Sequence, residues 1–298
     1  MSRDKYSARR QDIIHKQSDK LNRQIDKAQN GLLKYLTDIF IPSLPTGSDG
    51  QLVYDDQSIF LPSKLDNAYD LFASDYVKPI ISGFADNTRK LIKANKGYFD
   101  AFGDVDHQQI EDKVFAGLGL SGAVVAGGSL LYNILSDREA VGSIKSVIMS
   151  SITAGLTITG LRIAVESLVL RKDGGLIKNL FEKTIPEPYV KIDRFIGKEY
   201  ATALDLNFAV YQGGTIATSR DFCIERNNKV FSRDEILKFG TSADKFGGYT
   251  DKAKGEFQGK NANYDPLQDL GGYNCRHIYD WVSDELAYYL RPELKGRG

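Results

Sequence analysis

Leu206-Asn207-Phe208-Ala209-Val210-Tyr211 alternates in the manner of a strand, whereas the segments before it are patterned for helices. That switch decides the fold class. Downstream, Val230-Phe231 and the segment from Cys275 to Val282 read as further strands. Asn227-Asn228, between Ile224 and Val230, is placed as a hairpin turn because Asn tolerates the positive φ such turns demand. Ser242 to Gly272 is a long loop rich in glycine and lysine, read as too polar to hold a core and as a binding element or a segment that orders on binding. Ser283-Asp284-Glu285-Leu286 then starts a short terminal helix carrying Tyr288, Tyr289 and Leu290. The expected class is α+β: a mostly helical N-terminal half with long helices, then a small C-terminal module with a short antiparallel sheet.

Moving toward the N-terminus, Tyr189 to Leu206 reads as a helix through Ile192, Ile196, Tyr200 and Ala203, preceded by Pro186 and Pro188. In the apolar stretch Ser146 to Leu161, Gly155 is a helix stop and Thr157 the N-cap of a helix carrying Ile158, Leu161, Val165 and Leu168. Arg162 and Glu166 fall one turn apart and are expected to pair on its outer face. Val114 to Leu135 holds no charged residue and is long enough to cross a bilayer. Its glycines, Gly117, Gly119, Gly122, Gly127 and Gly128, suit close packing, and the preferred reading is a buried or oligomer-facing helix. A helical region from about Asp66 presents Tyr69, Leu71, Phe72, Tyr76, Ile80, Ile81, Phe84, Leu91 and Ile92, with Pro79 expected to kink or divide it. Ile41 to Gly50 is a linker or exposed loop, since its prolines and glycines break helical pattern. Residues 8 to 40 read as one helix with Ile14, Leu21, Ile25, Ala28, Leu32, Leu36 and Ile39 on a stripe. A coiled coil with a second copy and docking on the following helices are the two ways to cover that stripe. The expected organisation is an N-terminal helix at 1–45, a helical region at 46–140 with the apolar helix 114–135, and a module at 141–298. Within the module, helices fill 144–205, and the small sheet and long loop fill 206–285.

A chain of 298 residues with 42% hydrophobic and 26% charged residues has ample material for a core. Lys plus Arg equals Asp plus Glu at 39 each, so no global field draws it to nucleic acid or an acidic membrane surface. Any DNA contact would be local, and Arg3, Lys5, Arg9, Arg10, Lys16, Lys20, Arg23 and Lys27 form the candidate stretch, read here as a solvated helical face. Two cysteines are too few for a disulfide framework, and the charged start Met1-Ser2-Arg3-Asp4-Lys5 is unlike a signal peptide; the expectation is a cytoplasmic protein.

Three side chains form the sharpest chemical constellation: Cys223, Cys275 and His277. Thiolates and imidazole are zinc ligands, and Cys-x-His puts two donors on one side of a strand. A fourth donor would have to come from Asp221 or the long loop. A Cys223–Cys275 disulfide and a plain buried core are the other readings of the same atoms, the core being preferred. Arg220 and Arg276 flank the cysteines, and an arginine fork on Asp221 or Glu225 is expected to tie the turn to the last strand. Neither a phosphate-cradling Gly-x-x-x-x-Gly-Lys-Ser/Thr loop nor a His-Glu-x-x-His pair occurs, and no group is identifiable that would orient His277 as a base. The expectation is a protein that is not an enzyme and carries no cofactor.

Taken as a set, Thr218-Ser219-Arg220-Asp221-Phe222-Cys223, Asn227-Asn228-Lys229-Val230-Phe231 and Gly271-Gly272-Tyr273-Asn274-Cys275-Arg276-His277 resemble the C-terminal module of tailed-phage minor head proteins, the Mu F-like or head morphogenesis family. Ser150 to Ile158 resembles that family's helix, Gly-Leu-Ser/Thr-Ile turn and second helix, so the likeness covers roughly residues 144 to 285. The resemblance implies a virion structural protein, a minor head or portal-proximal component that binds portal or major capsid protein and acts in head assembly or genome delivery. It would be made in the host cytoplasm and kept in the virion head, with the N-terminal helix available for homo-oligomer formation. A membrane-active ejection protein that inserts the 114–135 helix is the rival expectation.

Overall fold

The computed structural model describes residues 3–53, 60–120, 138–172, 174–179 and 188–296. The fold is α+β, with long helices and a three-stranded antiparallel sheet of order β2-β1-β3. The chain divides into two compact units, each drawn from separated segments. One comprises residues 1–18, 87–117 and 186–298; the other comprises 19–86 and 118–185. These differ from the consecutive segments read from the sequence, because contacts join the start of the chain to its end.

The first helix, α1 (Arg3–Tyr35), continues through a wide π-helical turn at Leu36–Phe40 and a tight 3-10 turn at Ile41–Ser43. Ile14, Leu21, Ile25, Ala28, Leu32 and Leu36 are buried as the stripe predicts, so docking within the chain covers it. Gly31 lies against the Tyr76 ring, whose edge atoms a Cβ would meet at 2.8 Å. Ile39 departs from the stripe and is exposed, since the wide turn advances the register and Phe40 is buried instead. Lys5, Arg9, Lys16, Lys20, Arg23 and Lys27 are exposed as a solvated face requires, but Arg10 is buried.

In the unit comprising 19–86 and 118–185, α2 (Leu61–Phe72) leads through a second π-helical turn at Ala73–Val77 into α3 (Lys78–Phe99), whose residues from Asn87 onward are assigned to the other unit. Pro79 sits in the first turn of α3, where its missing N–H costs least, and the preceding turn absorbs the interruption. Leu71 is exposed, unlike its apolar neighbours Tyr69 and Phe72. The helices α5 (Arg138–Thr153) and α6 (Ile158–Val169) pack through Ile144, Ile148, Ile152, Leu161, Val165 and Val169. Gly155 has φ +64°, and the Thr157 hydroxyl accepts the Gly160 N–H at 3.1 Å. The turn is thus the stop and cap expected from its residues. Arg162 donates to the Thr37 carbonyl at 2.9 Å, in place of the pair expected with Glu166. Just beyond the stretch read as a linker, the Leu52 N–H donates to the Leu156 carbonyl at 2.8 Å.

The apolar run at 114–135 does not begin as one continuous helix. The helix α4 (His107–Gly117) ends at Gly117, and Gly119 has φ +65°, outside the right-handed helical region. Residues 121–135 lie outside the described residues. Among those described, no helix is long and apolar enough to cross a membrane.

The other unit holds the sheet. The strands are β1 (Phe208–Gln212), β2 (Val230–Ser232) and β3 (Ile278–Val282), with Val210 facing Val230 on one side and Asp280 on the other. Phe208, Val210, Val230 and Val282 share one face and pack with Ala287 and Leu294, next to α10 (Asp284–Leu290), which Ser283 caps. Ala209, Tyr211, Tyr279 and Trp281 share the other. Helix α7 (Pro188–Ala203) packs on β3, its Gly197 leaving 3.5 Å between a Cβ and the Trp281 ring. Cys275 and His277 precede β3 and are not part of it. Nor is Asn227-Asn228 a hairpin turn: a short helix, α8 (Asp221–Arg226), occupies the connection, and Asn228 (φ +60°) ends it before β2. Another short helix, α9 (Arg233–Ile236), follows β2 behind a Ser232 and Glu235 capping box.

An edge strand exposes a row of backbone acceptors. In β3 and the residues leading into it, that row is filled by side chains. Arg194 donates to the carbonyls of Cys275 and His277, Arg10 to that of Tyr279 at 3.4 Å, and Tyr98 to that of Trp281 at 2.7 Å. On the opposite edge, Arg291 donates to the Val230 carbonyl at 2.9 Å while its guanidinium forks onto Glu235.

Candidate functional site

The cysteine cluster draws on three elements. Cys223 is the third residue of α8, Tyr211 stands on β1, and the turn before β3 brings in Cys275 and His277. That turn takes left-handed backbone at Leu270, Gly272 and Asn274, which folds Cys275 back over α8. The Sγ atoms of Cys223 and Cys275 lie 3.8 Å apart as free thiols, and Cys275 Sγ lies 3.7 Å from His277 Nδ1. Tyr211 donates its hydroxyl to Cys223 Sγ at 3.4 Å and lies 3.6 Å from Cys275 Sγ. Cys223, Cys275 and His277 are 3 to 4% exposed and Tyr211 is fully buried.

Two glycines make room for this. A Cβ at Gly271 would overlap Cys223 Sγ and come within 3.0 Å of Cys275 Sγ, and one at Gly213 would meet the His277 ring at 2.6 Å. Only glycine lets the backbone approach so closely.

Burial alone would push the Cys275 thiol up. Hydrogen bonds from Cys223 and His277 and the nearby Arg194 guanidinium outweigh it, and the thiol lies well below its ordinary range. Cys223 moves the opposite way, through its hydrogen bond to Cys275 and then through burial. The two thiols titrate as a pair, with Cys275 the more acidic sulfur. Burial, then the charges of both sulfurs, drive the Tyr211 phenol well above its ordinary range.

The sequence-predicted arginines behave differently from expectation. Arg220 forks onto the carbonyls of Gly271, at 3.0 Å, and Tyr273, so it ties the turn to α8 through backbone oxygens and not through Asp221 or Glu225. Asp221 is the exposed first residue of α8, outside the donor cluster formed by Cys223, Cys275 and His277, and Arg276 is exposed.

Sequence reasoning missed three buried arginines. Arg194 directs all its hydrogen bonds to the carbonyls of Gln268, Cys275 and His277. Arg10 bridges Asp193 and Asp280, with Asp280 Oδ1 at 2.9 Å, and Ser7 donates to Asp280 at 2.5 Å. The Tyr6 and Tyr98 rings stack beside it at 3.7 Å, with Arg10 4.6 Å above the Tyr6 ring. Arg226 lies 3.5 Å over the Phe222 ring, pairs with Asp244 at 2.5 Å and donates to the Gly247 carbonyl at 3.0 Å. Around it the long loop joins a shared aromatic core: Phe257 stacks on Phe222 at 4.0 Å, and Phe231 meets Phe239 and Phe246 edge-on. The loop thus contributes Phe246 and Tyr249 to an aromatic shell around Arg226, which corrects the reading of it as too polar for a core. The spacing of Phe246, Tyr249, Phe257 and Tyr264 was the available signal.

No family model matches the chain, and neither a curated protein nor a solved structure is significantly similar to it.

Proposed function

We propose that the chain is a structural protein of a tailed-phage virion, a minor head or portal-proximal component that works by binding and without turnover. The observation that carries this reading is the juxtaposition of the two cysteine segments beside β3, the arrangement implied by the resemblance to head morphogenesis proteins. Burial of both thiols and His277 supports binding over catalysis, because a reacting substrate needs access to the attacking atom. In this reading the C-terminal module is a rigid docking body. Ile216, Ile224 and Tyr273 are exposed on the segments that carry or flank the cluster, and they supply apolar contact area for portal or major capsid protein.

Cryo-electron microscopy and cross-linking of purified particles that carry this chain test the proposal. The expected result is density for the module at the portal or the capsid lattice, with cross-links to either protein. Particles complete without the chain would end the proposal. An Ile224→Asp/Tyr273→Ser variant should fold normally yet be incorporated poorly.

A further inference from the structure

We infer that Cys223, Cys275 and His277, with the Tyr211 hydroxyl as fourth donor, form a structural site for one thiophilic divalent cation, with zinc(II) as the ion of choice. A tetrahedral zinc with Zn–S near 2.3 Å and Zn–N or Zn–O near 2.0 Å separates neighbouring donor atoms by about 3.4–3.8 Å. Four of the donor separations match: 3.8 Å between the sulfurs, 3.7 Å from Cys275 Sγ to His277 Nδ1, and 3.4 and 3.6 Å from Tyr211 Oη to the two sulfurs. The three nitrogen and sulfur donors lie within 4.8 Å of one another.

His277 adds to the geometry. The ring is 4% exposed and its Nδ1 meets only the Cys275 sulfur, at 3.7 Å, so a cation held between the two would be a stronger partner for that lone pair. Gly271 keeps the space beside the two sulfurs and the Tyr211 hydroxyl free of a Cβ. Donors from α8, β1 and the turn before β3 would be joined by one ion, which makes binding a folding term for the module. The closed, buried donor set fits a structural role and offers no open coordination position for substrate.

The inference is independent of the virion proposal, since it concerns the isolated chain. The full-length protein, produced with zinc and kept reduced, should carry one metal per chain by plasma emission spectrometry. Produced with cobalt(II), it should show a thiolate-to-cobalt charge-transfer band in the near ultraviolet and strong tetrahedral d–d bands in the red. Cys223→Ser and His277→Ala should each lower metal content at least about tenfold. Tyr211→Phe, which keeps the ring, should retain the charge-transfer band and shift the d–d bands. A wild-type chain without stoichiometric metal, or one whose two cysteines form a disulfide in place of binding cobalt, overturns the site. So does metal content unchanged in Cys223→Ser. Unshifted d–d bands in Tyr211→Phe would remove Tyr211 from the donor set.

Discussion

Each of the two compact units is stabilised internally by its own chemistry. In the unit built from α2, α5, α6 and the second half of α1, apolar seams such as Ile144, Ile148, Ile152, Leu161, Val165 and Val169 carry the packing. Ion pairs there stay near the surface: Lys145 and Asp66 are 31% and 53% exposed. In the unit containing the sheet, Arg10, Arg194 and Arg226 are buried and reach carboxylates or backbone carbonyls. Apolar seams tolerate volume-conserving exchange, whereas a buried guanidinium fixes partners, angles and register. One unit is specified mainly by volume, the other by bond geometry.

The sharpest way to break the contrast is Arg10→Met, which retains bulk but leaves Asp193 and Asp280 buried without their cation. A loss of about 3–5 kcal/mol is expected. Denaturant unfolding followed by Trp281 emission measures it, because the only tryptophan lies buried on β3 of that unit. A loss below that of an ordinary surface substitution would refute the assignment of the network.

A smaller effect should appear in the pH profile. Burial raises the Asp280 carboxyl above its ordinary range, against the pull of Arg10 and the Ser7 hydroxyl. The folded state therefore holds this proton more tightly than the unfolded state. Its contribution is complete below the unfolded Asp pKa and is lost as pH rises through the folded value. Wild type should gain stability relative to Asp280→Asn as pH falls from neutral into the acid range, read as the difference in Tm. The opposite slope would mean that Arg10 dominates over burial.

In the apolar unit the consequences shrink. Thr157→Ala removes the α6 cap and should cost about 1 kcal/mol, checked by thermal melting. Lys145→Ala, which removes a partly exposed pair, should stay within about 0.5 kcal/mol of wild type in the same assay.

The same contrast explains what could be read in advance. Periodicity located the α1 stripe from Ile14 to Leu36, and local turn chemistry located the Gly155 stop, the Thr157 cap and the start of the last helix near Ser283, because those effects depend on neighbours in sequence. The meeting of Cys223, Cys275 and His277 was legible as a constellation of chemically distinctive residue types. Arg10 was not, because in a basic helical stretch it resembles Arg9, and only the distant carboxylates Asp193 and Asp280 separate the buried one from the exposed one. The loop 242–272 misled for a related reason. Its lysines and glycines dominate the composition, while its aromatics gain a core only around Arg226, itself outside the loop.

The arginine and tyrosine donors along β3 have one more consequence. With the carbonyls of Cys275, His277, Tyr279 and Trp281 already occupied, an incoming polypeptide finds no free row of acceptors with which to extend the sheet on that side. Crowded copies of the module are thereby kept from zipping into continuous fibrils along this edge, and any recognition there must proceed through side-chain surfaces.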